Sequence, residues 1–136
     1  MLQTDKKKKK GFSDFDADLK FGKEHEEKAK AMLFDQRSTF EFKTERNYWY
    51  KTGNMAVEVE CNGVGSGITT TKAKYWVQVY ADGDEDCAYL IIPTKRLRKI
   101  KDKYVHKKKS VGDGKRAKTI LIPNSEILLA KNLIQK

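Results

Sequence analysis

The segment of residues 40–60, FEFKTERNYWYKTGNMAVEVE, constrains the fold of this chain more than any other. Apolar and charged residues alternate at both of its ends, as on β-strands, and the Thr-Gly-Asn between them is typical of a turn. Because successive side chains on a strand point to opposite faces, the charged residues of each run are predicted to share a face. These residues are Glu41, Lys43 and Glu45 on the first strand, and Glu58 and Glu60 on the second. If the strands pair, four carboxylates and one ammonium group meet on one patch of sheet.

This acidic patch has two interpretations. An outward-facing sheet surface is often charged, and a glutamate opposite a lysine is a routine cross-strand pair. Four glutamates against one lysine fit that interpretation poorly, since like charges opposite each other destabilise a sheet. The formal net charge of the whole chain is +10, so a local gathering of acids stands out. A divalent cation such as Mg²⁺ or Mn²⁺ would relieve the repulsion, and we favour a metal site over a solvated face.

A helix over residues 18–34 precedes the two strands, because good helix formers dominate this stretch. Steps of three and four residues place one set of side chains on a stripe that is expected to pack on the sheet: Leu19, Gly22, Glu26, Ala29 and Leu33. A carboxylate within such a stripe is costly unless it is paired or bound to a metal. If the stripe is rotated slightly, Glu26 instead lies at its edge, on the solvated side. Both interpretations of Glu26 stay open.

The remaining patterns predict one mixed sheet flanked by helices, of the α/β or α+β class. Residues 1–12 form a lysine-rich tail that is expected to be flexible, and residues 13–136 form a single domain. The element order is α-β-β-β-β-α-β-α, with further strands at 75–80, 87–93 and 118–123, a basic helix at 95–104 and a final helix from Asn124 or Ser125. The strand at 87–93 is expected to be buried, because CAYLIIP is almost wholly apolar.

The composition limits the kinds of binding partner and the cellular compartment that are expected for this protein. The excess of positive charge favours a polyanion, either nucleic acid or an anionic membrane surface. No apolar stretch approaches the length of a membrane span, and no signal-peptide pattern follows Met1. Cys61 and Cys87 are too few for a disulfide framework or a zinc site. We therefore expect a cytoplasmic protein without a membrane partner.

Several of these features together resemble the PD-(D/E)XK nuclease superfamily, which includes Holliday-junction resolvases, many restriction endonucleases and small phage endonucleases. They are the helix with Gly22-x-x-x-Glu26, the strand that ends near Glu45, and the second strand with Glu58-Val59-Glu60. The turn TGN and the segments SGI and TTTKA-x-YW are similar to the small phage-type members, over residues 15–136. The resemblance implies a restriction-endonuclease-like core. It also implies that the protein is a metal-dependent endodeoxyribonuclease that acts on branched DNA or on recombination and repair intermediates. If the protein is encoded by a phage, the resemblance implies that it acts in the host cytoplasm.

The resemblance also implies roles for individual residues. Glu45 and Glu58, with the backbone carbonyl of Val59, would bind Mg²⁺ or Mn²⁺. Glu60 would act as general base or as a second metal ligand, and Glu26 would bind a second metal directly or through water.

The family's usual motif lysine is replaced by Glu60 in this chain. Either Lys43 or Lys72 would then supply the positive charge. In a competing register, Glu41-Phe42-Lys43 is itself the (D/E)-x-K motif and Asp35 is the preceding acid.

DNA contacts are predicted from a loop with hydroxyl side chains and from the basic helix, since both groups of side chains suit phosphates. The candidates are Ser66, Thr70, Thr71, Lys72, Lys74, Lys95, Arg96, Arg98 and Lys99. Trp49, Tyr48 and Tyr50 either stack on bases or cover the core. A homodimer is expected by analogy with the family. The alternative function is that of a basic nucleic-acid-binding protein without catalysis, for which charge and aromatic residues suffice.

Overall fold

The computed structural model describes residues 12–111 and 116–134, with the side chains of residues 14–106 and 116–134. These residues form five α-helices and seven strands, which confirms the mixed α/β class. The helices are α1 (Phe12–Phe34), α2 (Tyr48–Thr52), α3 (Thr94–Asp102), α4 (Asn124–Ile127) and α5 (Ala130–Leu133). The strands are β1 (Phe40–Arg46), β2 (Asn54–Cys61), β3 (Val64–Gly65), β4 (Tyr75–Asp82), β5 (Glu85–Pro93), β6 (Lys108–Val111) and β7 (Ala117–Pro123).

The chain divides into two compact units between Ser38 and Thr39, so the division falls well beyond the predicted boundary at residue 12. The predicted tail lies outside the described residues except for Phe12, which begins α1.

The first unit contains α1, which begins earlier than the predicted 18–34. Asp14 lies in its first turn, where a negative charge interacts favourably with the helix dipole. After the helix, Asp35 accepts hydrogen bonds from the backbone N–H and the guanidinium group of Arg37. All five residues of the predicted apolar stripe, Glu26 among them, are exposed.

The second unit contains two sheets. The first has the order β1-β4-β5, with β1 parallel to β4 and β4 antiparallel to β5. The second is antiparallel, with the order β3-β2-β7-β6. The two runs of residues 40–60 therefore do not pair with each other, and the hairpin expectation is wrong. The short helix α2 joins them, and Gly53 ends that helix in the left-handed conformation.

The core of the second unit lies where the two sheets meet α3 and α4. Its buried side chains come from both sheets, from the helices and from the loop before β4, and they include Met55, Val57, Ile68, Trp76, Ile92, Leu97, Ile100, Ile120, Ile122 and Ile127. Each such side chain contributes about 1.5–3 kcal/mol when it leaves water. Leu97 and Ile100 form the buried side of the basic helix α3.

Three local expectations differ from the structure. The strand β5 is exposed on both faces from Glu85 to Tyr89, because no other element among the described residues covers this end of the strand, so an apolar sequence did not mean burial. The predicted final helix is two short helices, separated by Leu128 and the extended residue Leu129. The segment 108–111, for which the sequence predicts no helix or strand, pairs with β7 as a fourth strand of the second sheet. Within the described residues, no helix has the length and apolar character needed to cross a membrane.

Candidate functional site

The polar face of β1 is the centre of the candidate site. Glu41, Lys43 and Glu45 are half-buried, whereas Phe42 between them is 64% exposed, so the predicted shared face is confirmed. These charged residues lie level with residues of the neighbouring β4, and Glu45 stands opposite Tyr80. Tyr80 belongs to the core, so the charged face of this edge strand is the one turned inward.

Glu45 connects the two sheets. Its Oε1 accepts a hydrogen bond from the backbone N–H of Ala56 on β2. Burial raises the pKa of the Glu45 carboxyl above its ordinary value, and the Ala56 amide offsets part of this effect. Burial also raises the pKa of Tyr80, and the negative charge of Glu45 raises it further. Glu45 is therefore a carboxylate held partly out of water, in contact with the strand that carries the second pair of acids.

Glu58 lies two residues beyond Ala56 on β2. Its Oε2 accepts a hydrogen bond of 2.9 Å from the hydroxyl of Ser66. Because alternate residues of a strand point to the same face, the side chain of Glu58 is on the same face of β2 as that of Ala56. The hydroxyl of Ser66 thus restrains one predicted metal ligand.

A β-bulge separates Glu58 from Glu60. Glu58 stands opposite Thr119, but Glu60 stands opposite Lys118, the adjacent residue of β7. Adjacent residues of a strand point to opposite faces, so the two glutamates are on opposite faces as well. The expectation that Glu58 and Glu60 share a face is wrong. Glu60 forms an ion pair of 3.5 Å with Lys118.

The backbone next to the bulge is tied to the loop that follows. The carbonyl oxygen of Val59 accepts hydrogen bonds from the N–H of Ser66 at 3.0 Å and from the hydroxyl of Thr69 at 2.7 Å. Both lone pairs of this oxygen are thereby occupied, so a metal ion would have to displace one of these donors. Gly67 has φ +55°, and a Cβ there would lie 2.4 Å from the carbonyl oxygen of Glu58. The loop and β2 are in close backbone contact.

Of the two lysines predicted to replace the motif lysine, Lys43 is the one that shares a face with Glu45. Lys72 is exposed on the loop before β4. Glu26 and Asp35 belong to the first unit, so the site assembled from the second unit contains neither of them.

No group of three or more His, Cys, Asp or Glu side chains is placed to hold a metal ion in the part of the chain that the structure describes. Mg²⁺ commonly binds proteins through only one or two carboxylates and keeps several waters. The donors that suit such an ion are the carboxylates of Glu45 and Glu58.

Gln78 is a further candidate, which the sequence pattern does not indicate. It stands opposite Lys43 and is fully buried. Its Oε1 accepts a hydrogen bond from the indole N–H of Trp76, while its Nε2 has no hydrogen-bond partner among the described residues. A buried amide with unused donors beside a charged face can orient a carboxylate or bind a ligand oxygen. Its only sequence signal is that it is the one polar residue within YWVQVY.

The two arginines of the predicted DNA-binding set make contacts inside the protein. Arg96 donates to the carbonyl oxygen of Leu133. Arg98 donates to the carbonyl oxygens of Ile68 at 2.9 Å and Thr71 at 2.5 Å. These two arginines therefore hold neighbouring backbone segments in place through hydrogen bonds.

The other members of the set are mostly on the surface: Thr70, Lys72, Lys74, Lys95 and Lys99 are exposed, and Thr71 is half-buried.

The aromatic residues of α2 are expected either to stack on bases or to cover the core, and the structure has examples of both positions. Trp49 packs edge-on against Tyr80, with ring centres 5.2 Å apart, and its indole N–H donates to the carbonyl oxygen of Ala81. It therefore covers the core. Tyr48 is 73% exposed and Tyr50 is also exposed, so these two rings are available for stacking.

Comparisons with protein-family models, curated proteins and solved structures found no match to this chain.

Proposed function

We propose that this chain is a metal-dependent endodeoxyribonuclease whose site is the charged face of β1 together with Glu58 of β2. The observation that carries the proposal is the carboxylate of Glu45, which is partly buried and hydrogen-bonded to the backbone of the other sheet. Acids whose pKa is raised by burial occur often at sites that carry out chemistry, so the position of Glu45 supports the proposal.

Glu45 and Glu58 are the residues that would hold Mg²⁺ or Mn²⁺, because their carboxylates supply the hard oxygen donors that these ions prefer. A bound ion would supply Lewis acidity, polarising the phosphoryl oxygen and lowering the pKa of water. The raised pKa of Glu45 is consistent with this role, since burial of a carboxylate is costly and a cation offsets that cost.

The chain's own residues would do the remaining work. The ammonium group of Lys43 shares a face with Glu45 and would stabilise negative charge that develops on the phosphate. Ser66 orients the carboxylate of Glu58 through its hydroxyl group. We assign no catalytic role to Glu60, because its carboxylate faces the other side of β2 and is paired with Lys118.

A nuclease assay tests the proposal. Labelled duplex, branched and single-stranded DNAs would be incubated with the protein and Mg²⁺ or Mn²⁺, and also with a chelator. We expect metal-dependent cleavage, reduced about 100-fold or more in Glu45→Gln and in Glu58→Gln. Glu85→Gln is the matched control, because it removes the same charge from an exposed position at the start of β5 and should cleave normally. Undiminished cleavage by both site variants would refute the assignment.

The second candidate function is binding of nucleic acid without catalysis. It is favoured by the exposed lysines around α3 and by the absence, within the described residues, of a cluster of three metal-binding side chains. It predicts DNA binding that needs no metal and that Glu45→Gln does not weaken. Sedimentation of the protein with and without DNA would also test the homodimer that the resemblance implies.

A further inference from the structure

A basic pocket lies where the loop before β4 meets the start of α3. Its volume is about 430 Å³. Among the described residues that line it, four are basic and none is acidic. The basic residues are Lys72, Lys74, Lys95 and Arg98. The pocket therefore has the charge expected of a binding site for an anion.

The backbone adds to this positive charge. The helix α3 has nine residues, and the residue before it is Pro93, which gives its first turn no side-chain cap. The N–H of Thr94 donates to the carbonyl oxygen of Lys74 at 2.9 Å, which fixes the start of the helix against the start of β4. The next N–H groups of a first helical turn have no partners within the helix, and the helix dipole is positive at this end. An oxyanion is the ligand that such a helix end prefers.

Thr94 supplies an independent observation. It lines the pocket and is only 2% exposed, and its hydroxyl group has no hydrogen-bond partner among the described residues. A buried hydroxyl without a partner is costly, so native proteins rarely retain one. A bound oxyanion would accept this hydrogen bond.

Arg98 makes the wall of the pocket rigid. Its guanidinium group donates to the carbonyl oxygens of Ile68 and Thr71, so it holds the loop while its charge stays at the pocket. The same loop begins at Ser66, which hydrogen-bonds to Glu58. The first residue of this loop, Ser66, thus hydrogen-bonds to a carboxylate of the candidate site, and its last residue, Thr71, lines the pocket.

We propose that the basic pocket binds a phosphate group. That this group is an internal phosphate of a DNA strand rests on the proposed nuclease function. The loop from Ser66 to Thr71 would then connect the position of that phosphate to the position of Glu58.

The first test uses inorganic phosphate and no metal, so it does not depend on cleavage. Amide chemical shifts are followed by NMR as phosphate is added at constant ionic strength. We expect the signals of Thr94 and Lys95 to move in a saturable way, and phosphate affinity to fall several-fold in Thr94→Val. This variant keeps the shape of the side chain and removes an unsatisfied hydroxyl, so its stability without phosphate should equal or exceed that of the wild type. Unmoved pocket signals, or equal phosphate affinity in Thr94→Val, would overturn the proposal.

The second test uses DNA and the Glu45→Gln variant in a chelator, so that no strand is cut. The double change Lys72→Gln with Lys95→Gln should weaken binding and lower the slope of log affinity against log salt by about 1 per lost phosphate contact. The control, Lys20→Gln with Lys28→Gln, removes the same charge from exposed positions of α1 and should change binding less. Equal losses in the two double variants would overturn the proposal.

The source of the phosphate is tested with duplexes that differ only at their ends. We expect equal affinity for 5′-phosphorylated and 5′-hydroxyl duplexes, because an internal phosphate is present in both. A different outcome is that the protein binds the 5′-phosphorylated duplex more tightly and that the Lys72 and Lys95 changes remove this preference. That result would overturn the assignment to an internal phosphate. Failure of the nuclease assay would leave these binding results unaffected, and failure of the binding tests would leave metal-dependent cleavage unaffected.

Discussion

Replacing Gly67 with alanine should destabilise the protein far more than replacing another glycine with similar backbone geometry. Gly67 has φ +55°, and an L-residue in this conformation costs about 1–2 kcal/mol, partly offset because alanine restricts the unfolded chain. The added Cβ would also lie 2.4 Å from the carbonyl oxygen of Glu58, so the backbone must move. Movement of the loop breaks the bond from Ser66 to Glu58, at about 1.5–3 kcal/mol, and weakens the bond from Ser66 to Val59. We expect a total loss of about 3–4 kcal/mol.

The control for this prediction is Gly83→Ala. Gly83 has φ +59°, but a Cβ there meets nothing within 4 Å, so only the conformational cost of about 1 kcal/mol remains. Urea unfolding of both variants and the wild type gives the two losses of free energy under the same conditions. The difference between the variants isolates the contact between Gly67 and β2. Equal losses, within about 0.5 kcal/mol, would refute the close approach of the loop to Glu58.

Three further predictions concern single side chains. Because burial raises the pKa of Glu45 in the folded state, the ionised form of Glu45 destabilises the fold. Glu45→Gln should therefore raise the melting temperature at pH 8, and this gain should disappear as the pH falls towards 4. Thermal unfolding across this pH range is the measurement. Arg98→Lys replaces two donors of a planar guanidinium group with a single ammonium group, so urea unfolding should show a loss of about 1–3 kcal/mol. Trp49→Phe loses the hydrogen bond to Ala81 and should cost about 1 kcal/mol in the same measurement, whereas an unchanged stability would contradict this contact.

Local patterns predicted most of the elements, because alternation and helix propensity act over a few residues. The shared face of Glu41, Lys43 and Glu45 follows from the geometry of any strand, and the structure contains it. The geometry of a single strand does not determine which other strand pairs with it. Phe40 stands opposite Tyr75, 35 positions along the chain, and no turn signal links them. The Thr-Gly-Asn signal was correctly placed, but Gly53 ends a helix there and does not close a hairpin.

The candidate site was harder to predict than the strands, because single residues decide it. One extra residue in β2 reverses the face of Glu60, and the sequence VEVE alternates just as it would without a bulge. Gln78 was missed for a related reason. A glutamine in an apolar strand gives no sign of whether its amide is satisfied, and only the structure reveals the unused Nε2 donor.

The loop from Ser66 to Thr71 is the element that links the two proposed sites. Its first residue bonds to Glu58, and its last is held by Arg98, which lines the basic pocket. Both ends are thus tied to charged side chains, and Gly67 brings the backbone of the loop against β2 between them. Because Ser66 bonds to Glu58 and Thr71 bonds to Arg98, a shift of the loop at one end would strain a hydrogen bond at the other end. If the basic pocket binds phosphate and Glu58 holds a metal ion, the positions of both groups would therefore depend on this one loop.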